Sequence, residues 1–376
     1  MKPAETVLKF LESIGLGAEA RFYLKLFRSD EKQRFAVIVV DPSTLQQTTD
    51  AVALDLRFLT VLGLTPIVVF GRYQNGDSLL HAENLRLKLD QAHLSNAFFL
   101  FDGDASPIVD AVNRESLPLV IIDASEPDDW FRRLGELVSI LRTRKLLFLC
   151  GQGGLTLREE PLSVVNLSRE YDSLISRHDF SDDQRVIIER SRQLIFDLVP
   201  HKLLIAVTSP LNLLHELFTI KGAGTLLRKG TRILSRYGYH EIDVPRLRVL
   251  LENGFERPIN DDFFSRPISR VYVEEDYRGV ALLQDTDLGG YLTKFAVTTE
   301  ARGEGIGRDL WHFVTNDYPA VIWRARPENP ITPWYEQQCD GRLKTGNWTV
   351  YFRGLDTARI PEAVAYALQQ PIDFYR

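Results

Sequence analysis

Cysteine and histidine are both scarce in this sequence. Its 376 residues include two cysteines, Cys150 and Cys339, and seven histidines. Two cysteines are too few for a disulfide framework or a thiolate metal site. The histidines include no HxxxH pair from which a histidine metal site would be built. We therefore expect no metal, and the low cysteine content predicts a reducing, cytoplasmic location.

Long apolar runs and an excess of basic residues are also missing. No run approaches the roughly 18 consecutive apolar residues that a membrane span needs. Residues 1–6 already include an acidic residue, Glu5, and do not form the apolar core of a signal peptide. Lysine and arginine number 45 against 51 aspartate and glutamate residues, a formal net charge of −6. Without a basic block, a chain of this charge is not expected to bind nucleic acid.

The chain does contain enough apolar residues, 44% of the total, for the two domains that its length predicts. Up to about residue 200, short apolar runs alternate with helix-length segments. Such runs are typical of strands buried on both faces, so we predict an α/β domain with a mainly parallel sheet. The predicted strands are Phe35–Val40, Pro66–Phe70, Ala97–Phe101, Leu117–Ile122, Lys145–Cys150 and Leu203–Thr208.

After about residue 230 the pattern changes to aromatic-rich strands with fewer helices, which predicts an α+β domain with a mixed or antiparallel sheet. This domain begins with two predicted helices, Arg232–Tyr237 and Val244–Asn253. A turn-rich stretch, Phe218–Thr225, is predicted to join the two halves. We place the domains at residues 1–231 and 232–376.

The strongest local signal is a strand, Tyr291–Val297, followed by the glycine-rich residues 302–307 and then a helical stretch, Arg308–Asn316. A strand that leads through a glycine loop into a helix directs several backbone N–H groups and the positive end of the helix at one place. Glycine also lets the backbone approach a ligand where a Cβ would clash. The arrangement predicts a phosphate or pyrophosphate site, with an ordinary turn before a helix as the alternative.

Two arginines, Arg324 and Arg326, follow in a predicted strand and lie on one face of it because side chains alternate. Two guanidinium groups side by side would bind a dicarboxylate through charge-assisted, bidentate hydrogen bonds. The alternative is a pair of solvated arginines near a strand end.

These motifs resemble those of a known enzyme family. Residues 302–307 have the spacing R-x-x-G-x-G, which resembles the coenzyme A pyrophosphate loop of the GNAT acetyltransferases. Residues 323–335, W-R-A-R-x-x-N-P-I-x-P-W-Y, resemble the acetyltransferase domain of vertebrate-type N-acetylglutamate synthases and of bifunctional synthase/kinases. Phe218–Leu227 and Gly254–Phe263 extend the similarity. The resemblance implies an amino-acid-kinase-like parallel-sheet sandwich followed by a GNAT-type α+β acetyltransferase domain.

The resemblance also implies roles for particular residues. Lys294 and Tyr335 would be the catalytic pair, and Asn329 would position the substrate. The residues implied to bind glutamate are Arg257, Lys294, Arg324, Arg326 and Asn329. The residues implied to bind acetyl-CoA are Phe295, Ala296, Val297, Arg302, Gly303, Glu304, Gly305, Ile306 and Gly307.

The implied chemistry suits these residue types. An α-amine attacks a thioester only when neutral, so its proton must leave. Lys294 accepts that proton only if burial or neighbouring arginines lower its pKa. Tyr335 would donate a proton or a hydrogen bond to the departing thiolate. From the residues alone, a solvent-facing lysine and a core tyrosine remain the alternatives.

The first half departs from the kinase pattern. Amino-acid kinases carry a lysine and two glycines after the first strand, where they bind ATP phosphates. Here Val39 stands at the lysine position and Asp41-Pro42 at the glycines. Family members have a second glycine loop where this chain reads Gly71-Arg72-Tyr73-Gln74, and Gly151–Gly154 lacks the G-K-[ST] of a phosphate loop. We predict that this half phosphorylates nothing. The family resemblance implies that it serves assembly and arginine binding.

The resulting hypothesis is an N-acetyl-L-glutamate synthase that transfers acetyl from acetyl-CoA directly to L-glutamate, in the first step of arginine biosynthesis. L-Arginine is an expected effector, and a homo-oligomer, dimeric or tetrameric, is expected through the first domain. Cys339 keeps a covalent route formally open. The alternatives are an acetyl-CoA or amino-acid sensor without turnover, an acetyltransferase for another acidic amino acid, and a bifunctional synthase/kinase.

Overall fold

In a computed structural model, the chain is described over residues 5–375, except for 8, 10, 12–16, 30, 72–77, 123, 125, 152, 178, 220–221, 299–300, 302–303 and 330. The chain divides into two units, Met1–Gly230 and Thr231–Arg376. Among the described residues, no helix is long and apolar enough to cross a membrane.

The first unit contains an eight-stranded sheet in the order β3-β4-β2-β1-β5-β9-β10-β8. The six strands from β3 to β9 in that order are parallel to their neighbours, and β10 runs antiparallel to β9. A two-stranded ribbon of β6 and β7 lies outside this sheet. The strands are β1 (Val37–Val40), β2 (Ile67–Gly71), β3 (Asn96–Leu100), β4 (Leu117–Ile122), β5 (Lys145–Leu149), β6 (Thr156–Leu157), β7 (Glu160–Pro161), β8 (Val164–Asn166), β9 (Leu204–Thr208) and β10 (Thr225–Arg228).

Helices separate these strands and cover the sheet on both faces. Val37 and Val39 of β1 pack into one apolar core and Ile38 and Val40 into another, so the strand is apolar throughout. The described helices are α1 (Gly17–Arg28), α2 (Pro42–Val61), α3 (Ser78–Gln91), α4 (Ser106–Asn113), α5 (Pro127–Leu141), α6 (Leu167–Ile175), α7 (Asp182–Gln193), which continues as a π-turn to Leu198, and α8 (Leu213–Phe218). The α/β class predicted for this half is confirmed.

The second unit contains a seven-stranded sheet in the order β11-β12-β13-β14-β15-β17-β16. Its neighbours are antiparallel except for β14 and β15, which are parallel. The strands are β11 (Ile233–Tyr237), β12 (Arg270–Glu274), β13 (Gly279–Thr286), β14 (Gly289–Val297), β15 (Val321–Ala325), β16 (Gly341–Thr345) and β17 (Trp348–Arg353). The helices are α9 (Val244–Phe255), α10 (Ile306–Asp317), α11 (Thr332–Gln338) and α12 (Ile360–Gln369). The predicted α+β fold is confirmed.

The helices divide between the two faces of this second sheet. Helix α10 packs with Leu292, Phe295 and Trp323 on one face, which we call the tryptophan face. Helix α9 packs with Leu282 and Ala296 on the other face. Helix α12 packs there too, against the neighbouring strands β14, β15 and β17. We call this second face the lysine face, because Lys294 lies on it.

Two local predictions are wrong. Arg232–Tyr237, predicted as a helix, forms the strand β11, which pairs with β12 at the sheet edge. Its side chains are mostly half-exposed, so the strand lacks the alternation that identifies half-buried strands. The predicted junction Phe218–Thr225 lies within the first unit instead, because Phe218 ends α8 and Thr225 begins β10.

Candidate active site

A β-bulge in β14 determines which face receives Lys294. Lys294 pairs with Leu282, and Leu292 pairs with the next residue, Leu283, so Thr293 is an extra residue without a counterpart. A bulge of this kind re-aims the side chains that follow it. Leu292 and Phe295 consequently share the tryptophan face, and Lys294 lies on the lysine face with Ala296.

The Lys294 ammonium is buried and has a definite set of partners. Its Nζ forms an ion pair with Asp373 and donates a hydrogen bond to the Thr293 carbonyl at 3.0 Å. The rings of Phe263 and Phe374 lie 5.1 and 5.5 Å from Nζ. Burial lowers the pKa of Lys294, and the Asp373 carboxylate opposes that shift. The solvent-facing alternative is thereby excluded for this lysine.

Asp373 joins Lys294 to a second cation and to a cavity. Its other oxygen accepts from Arg266 Nη1 at 2.5 Å, and Arg266 also pairs with the exposed Asp262. Arg266, Asp373 and Tyr291 line a cavity of about 200 Å³ on the lysine face. Among the described lining residues, Arg266 carries the one positive charge and Asp373 the one negative charge.

Arg324 extends this cationic cluster but uses its guanidinium on the backbone. Nη1 donates to the carbonyls of Ala367 and Leu368, at 2.8 and 3.3 Å. Nη2 donates to those of Gln370 and Pro371, at 2.8 and 2.7 Å. These are carbonyls at the C-terminal end of α12 and just beyond it, which lack partners within the helix. Arg324 therefore anchors the segment that leads to Asp373.

The five predicted substrate-binding residues, Lys294 and Arg324 included, are absent from the described lining of the cavity. Arg326 stacks on the Trp348 ring at 4.1 Å, as Arg324 does at 4.0 Å, and donates to the Asn347 carbonyl. Arg257 is exposed just after the end of α9. The Asn329 side chain accepts a hydrogen bond from the Ile331 backbone N–H at 3.1 Å, just before α11. The structure thus brings Arg324 and Arg326 together on the Trp348 ring, as the alternation of side chains predicted. Arg257 has no described contact with either of them.

Tyr335 lies on the tryptophan face, opposite Lys294. It is buried in α11, with its ring centroid 5.7 Å from that of Trp323 and 5.5 Å from that of Tyr351. Burial raises the pKa of its hydroxyl, so Tyr335 stays protonated at neutral pH and can donate a hydrogen bond. Lys294 and Tyr335 can act on one substrate only through an opening in the sheet between them.

The pairing of β14 with β15 ends before Lys294, and we call the unpaired stretch beyond it the opening. The two strands pair from Gly290 with Val321 to Leu292 with Trp323, and no described pairing continues beyond that point. The edge of β14 that follows includes the predicted acetyl-CoA contacts Phe295, Ala296 and Val297. The Phe295 ring stacks on that of Trp334 at 5.1 Å, so an aromatic wall flanks the opening.

The predicted glycine loop leads from this strand into α10. Arg302 and Gly303 lie outside the described residues. Gly305 has φ +80°, a conformation that favours glycine, and precedes the first residue of α10, the buried Ile306. Gly307 packs beside Phe295, and a Cβ at this position would meet the ring at 3.6 Å, an ordinary van der Waals contact. The N-terminus of α10 follows this loop directly, and the N-terminus of a helix favours the binding of an anion such as a pyrophosphate.

A buried ion-pair network holds Glu304, another residue of this loop. Arg278 donates to Glu304 Oε2 at 2.9 Å and pairs with Glu274, a fully buried carboxylate. Glu274 also accepts from the Thr231 hydroxyl at 2.5 Å. The network connects the loop to the end of β12. Glu304 therefore helps to fix the position of the loop through its ion pair with Arg278.

In the first unit, Asp41 follows the end of β1, where the resemblance to amino-acid kinases leads one to expect glycines. Asp41 is buried and its Oδ2 accepts from the Thr44 N–H at 3.3 Å, which caps α2, and Pro42 begins that helix. Residues 72–74, the predicted second loop, lie outside the described residues. Gly153 forms a turn by donating to the Cys150 carbonyl at 3.1 Å. The Asp41 carboxylate thus serves as a helix cap at the end of β1.

Sequence reasoning missed three residues around Lys294: Asp373, Arg266 and Tyr291. Asp373 is 79 residues from Lys294 along the chain, and no local pattern links them. A short acidic pair, Asp261-Asp262, lies between Arg257 and Arg266 in the sequence. It supports the selection of Arg257 as a substrate-binding residue, and it is equally near Arg266. In the described part of the chain, no group of three or more His, Cys, Asp or Glu side chains could hold a metal ion.

Comparisons with known proteins place these features in context. Residues 234–370 match the family described as "NAT, N-acetyltransferase, of N-acetylglutamate synthase". The chain is 32% identical to the acetylglutamate kinase of Xanthomonas campestris, over 93% of this chain and 97% of that protein. It is 29% identical to human mitochondrial N-acetylglutamate synthase, over 98% of this chain and 78% of that protein.

The chain is also similar to a solved structure, that of the N-acetylglutamate synthase of Neisseria gonorrhoeae. Its complex with coenzyme A and N-acetylglutamate matches with a TM-score of 0.51 and 17% identity, over 91% of this chain and 99% of that chain. A second structure of the same protein contains coenzyme A and L-arginine, with a TM-score of 0.51. At this identity the match establishes a common fold.

Proposed function

Because this chain belongs to the family of N-acetylglutamate synthases and acetylglutamate kinases, we propose that it is an N-acetylglutamate synthase. The resemblance predicted from the sequence is confirmed, and with it the N-acetyltransferase class. The observation that carries the proposal is the cationic cluster of Lys294, Arg266 and Arg324 around Asp373 on the lysine face of the sheet. Arg266 and Arg324 stay charged whether or not Lys294 is protonated, so the cluster favours a dicarboxylate acceptor such as L-glutamate.

The proposed reaction joins the two faces of the sheet. Acetyl-CoA binds along β14 with its pyrophosphate at the N-terminus of α10, and its thioester lies in the opening between β14 and β15. The glutamate amine loses its proton on the lysine face, where burial favours a neutral Lys294. The amine attacks the thioester carbonyl, the C–S bond breaks, and Tyr335 protonates the departing thiolate. Cys339 offers little as a nucleophile, because burial raises its pKa and keeps the thiol protonated.

Release of the CoA thiol tests this proposal directly. With acetyl-CoA, we expect L-glutamate to support release, L-aspartate to support it less, and L-glutamine to give about 10²-fold lower kcat/KM, because an uncharged side chain leaves a cation unpaired. Thiol release is followed by a chromogenic disulfide reagent. Equal rates with glutamine would remove the dicarboxylate argument. Binding of acetyl-CoA without any glutamate-dependent release would favour a sensor.

For the first unit we propose that phosphoryl transfer is absent. The Asp41 carboxylate repels phosphate where the kinases have glycines, and Pro42 offers no N–H. The relative from Xanthomonas campestris bears the name of a kinase, and it is the natural positive control. We expect no ADP formation from ATP and N-acetylglutamate under conditions in which that relative forms ADP. Detectable ADP from this chain would instead favour a bifunctional synthase/kinase.

The first unit is then free for assembly and regulation. The Neisseria gonorrhoeae synthase has been solved with L-arginine bound, which supports arginine as an effector here too. We propose that residues 1–231 assemble the chain into a dimer or tetramer and bind arginine, and that the protein acts in the cytoplasm. Light scattering gives the assembly size, and an arginine titration of the thiol-release rate gives the direction of regulation.

A further inference from the structure

The acceptor of the proposed reaction carries a positive charge, on its α-ammonium group, and the predicted binding residues include no anion to pair with it. L-Glutamate arrives with two carboxylates and one α-ammonium group. The predicted set contains four cations, Arg257, Lys294, Arg324 and Arg326, together with the neutral Asn329. None of these five residues supplies an anion for the ammonium group, and an ammonium group desolvated among cations without an anionic partner is strongly disfavoured.

Asp373 is the acidic residue that the cavity presents. Its two oxygens are bound by Arg266 and Lys294. A carboxylate has about four lone-pair positions, so these two contacts leave capacity for another donor. Asp373 lines the cavity, while Lys294 lies behind it, held through Asp373 and Thr293.

The segment that carries Asp373 is firmly positioned. Besides the bonds from Arg324, the Asn260 N–H donates to the Asp373 carbonyl at 2.9 Å and the Asn260 side-chain amide donates to the Ile372 carbonyl at 2.8 Å. Phe374 packs against Phe255 with ring centroids 4.7 Å apart. Contacts on both sides of Asp373 hold its carboxylate at the cavity wall, and this favours a fixed part of the site over a displaceable substitute for the substrate.

We infer that Asp373 binds the α-ammonium group of the acceptor and makes the site specific for amino acids over dicarboxylates that lack an amine. This inference rests on the proposed synthase function and adds a residue to its substrate site. Arg266, on the same cavity wall, then faces a substrate carboxylate. Asp373 holds the amine on the lysine face, close to the group that is proposed to take its proton.

An Asp373→Asn variant separates this role from a merely structural one. We expect it to raise the KM for L-glutamate by about 10- to 100-fold, because a charge-assisted hydrogen bond is lost. Glutarate, which has both carboxylates and no amine, should inhibit the variant at least as well as the wild-type chain, since a repelling charge is gone. Asp262→Asn is the matched control: Asp262 pairs with the same Arg266 but does not line the cavity, so both constants should stay within about twofold of wild type.

The outcomes are distinct. Equal weakening of glutamate and glutarate in Asp373→Asn would mean that Asp373 only shapes the pocket, and an unchanged KM would exclude it from the site; either result overturns the inference while the synthase function stands. A wild-type chain without glutamate-dependent thiol release overturns both. If the asparagine variant fails to fold, Asp373→Glu replaces it: the shifted carboxylate should raise the KM for glutamate and leave the inhibition by glutarate unchanged.

Discussion

A Lys294→Met variant is expected to lose nearly all glutamate-dependent release of CoA, with kcat lower by about 10²- to 10⁴-fold, the range for loss of a group that moves a proton in catalysis. Methionine keeps the length and the apolar stem that pack between Phe263 and Phe374. It removes the donor and the charge that Lys294 presents to Asp373. Initial rates of thiol release at saturating acetyl-CoA measure the effect.

Lys344→Met is the matched control for this variant. Lys344 lies on β16 of the same sheet, but it is exposed and contacts neither the cavity nor the opening between β14 and β15. We expect its rate to remain within about twofold of wild type, since exposed substitutions seldom perturb a site. The melting temperature of Lys294→Met should fall, because Asp373 loses one of its two cationic partners, so the rates are compared at a temperature at which the variant is folded. A Lys294→Met rate close to wild type would exclude this lysine from the chemistry.

An Arg324→Lys variant is expected to lower kcat/KM for glutamate by about 10²-fold and to destabilise the second unit by about 2–4 kcal/mol. A lysine ammonium lacks the planar fork with which Arg324 reaches four carbonyls, so several polar groups at the end of α12 lose their partners. Amide hydrogen exchange over residues 367–373 should accelerate in the variant even without substrate. Thermal unfolding and exchange together measure the effect.

Arg353→Lys is the corresponding control, because Arg353 lies on the same sheet and donates to a single backbone carbonyl, that of Gln338. We expect little change in its kinetics or in its exchange near residue 370. The same comparison separates two roles for Arg324. A raised KM for glutamate without faster exchange would mean that the guanidinium acts on the substrate itself, as the sequence predicted, and not through the segment that carries Asp373.

The parts of the fold that could be predicted are those in which one short stretch determines its own environment. The strand β1 is buried on both faces, so its continuous apolar run identified it. The glycine loop and α10 were recognisable because the strand, the turn and the helix follow one another directly. The edge strand β11 was not recognisable, since its pairing with β12 decides its conformation and its own residues give no clear period.

The candidate site was predictable only in part, for a related reason. Lys294, Arg324 and Tyr335 were found through motifs, but their surroundings depend on distant parts of the chain. Asp373 reaches Lys294 across 79 residues, and Arg324 reaches backbone carbonyls 43 to 47 residues away. The bulge at Thr293 has no signature in the sequence of β14, because it depends on how the residues of β14 pair with those of β13. Without that register, the face on which Lys294 lies could not be known.

The bulge at Thr293 also makes this strand sensitive to changes of length. If Thr293 were retained but β14 paired with β13 without the bulge, the side chains on one flank of Thr293 would exchange faces. Lys294 would then enter the layer of aromatic rings and Phe295 would replace it among the charged groups. Diverging relatives should therefore tolerate many substitutions at this position, and should either keep the bulge or lack one residue between Tyr291 and Phe295, because the faces are preserved only when the bulge and its extra residue are lost together.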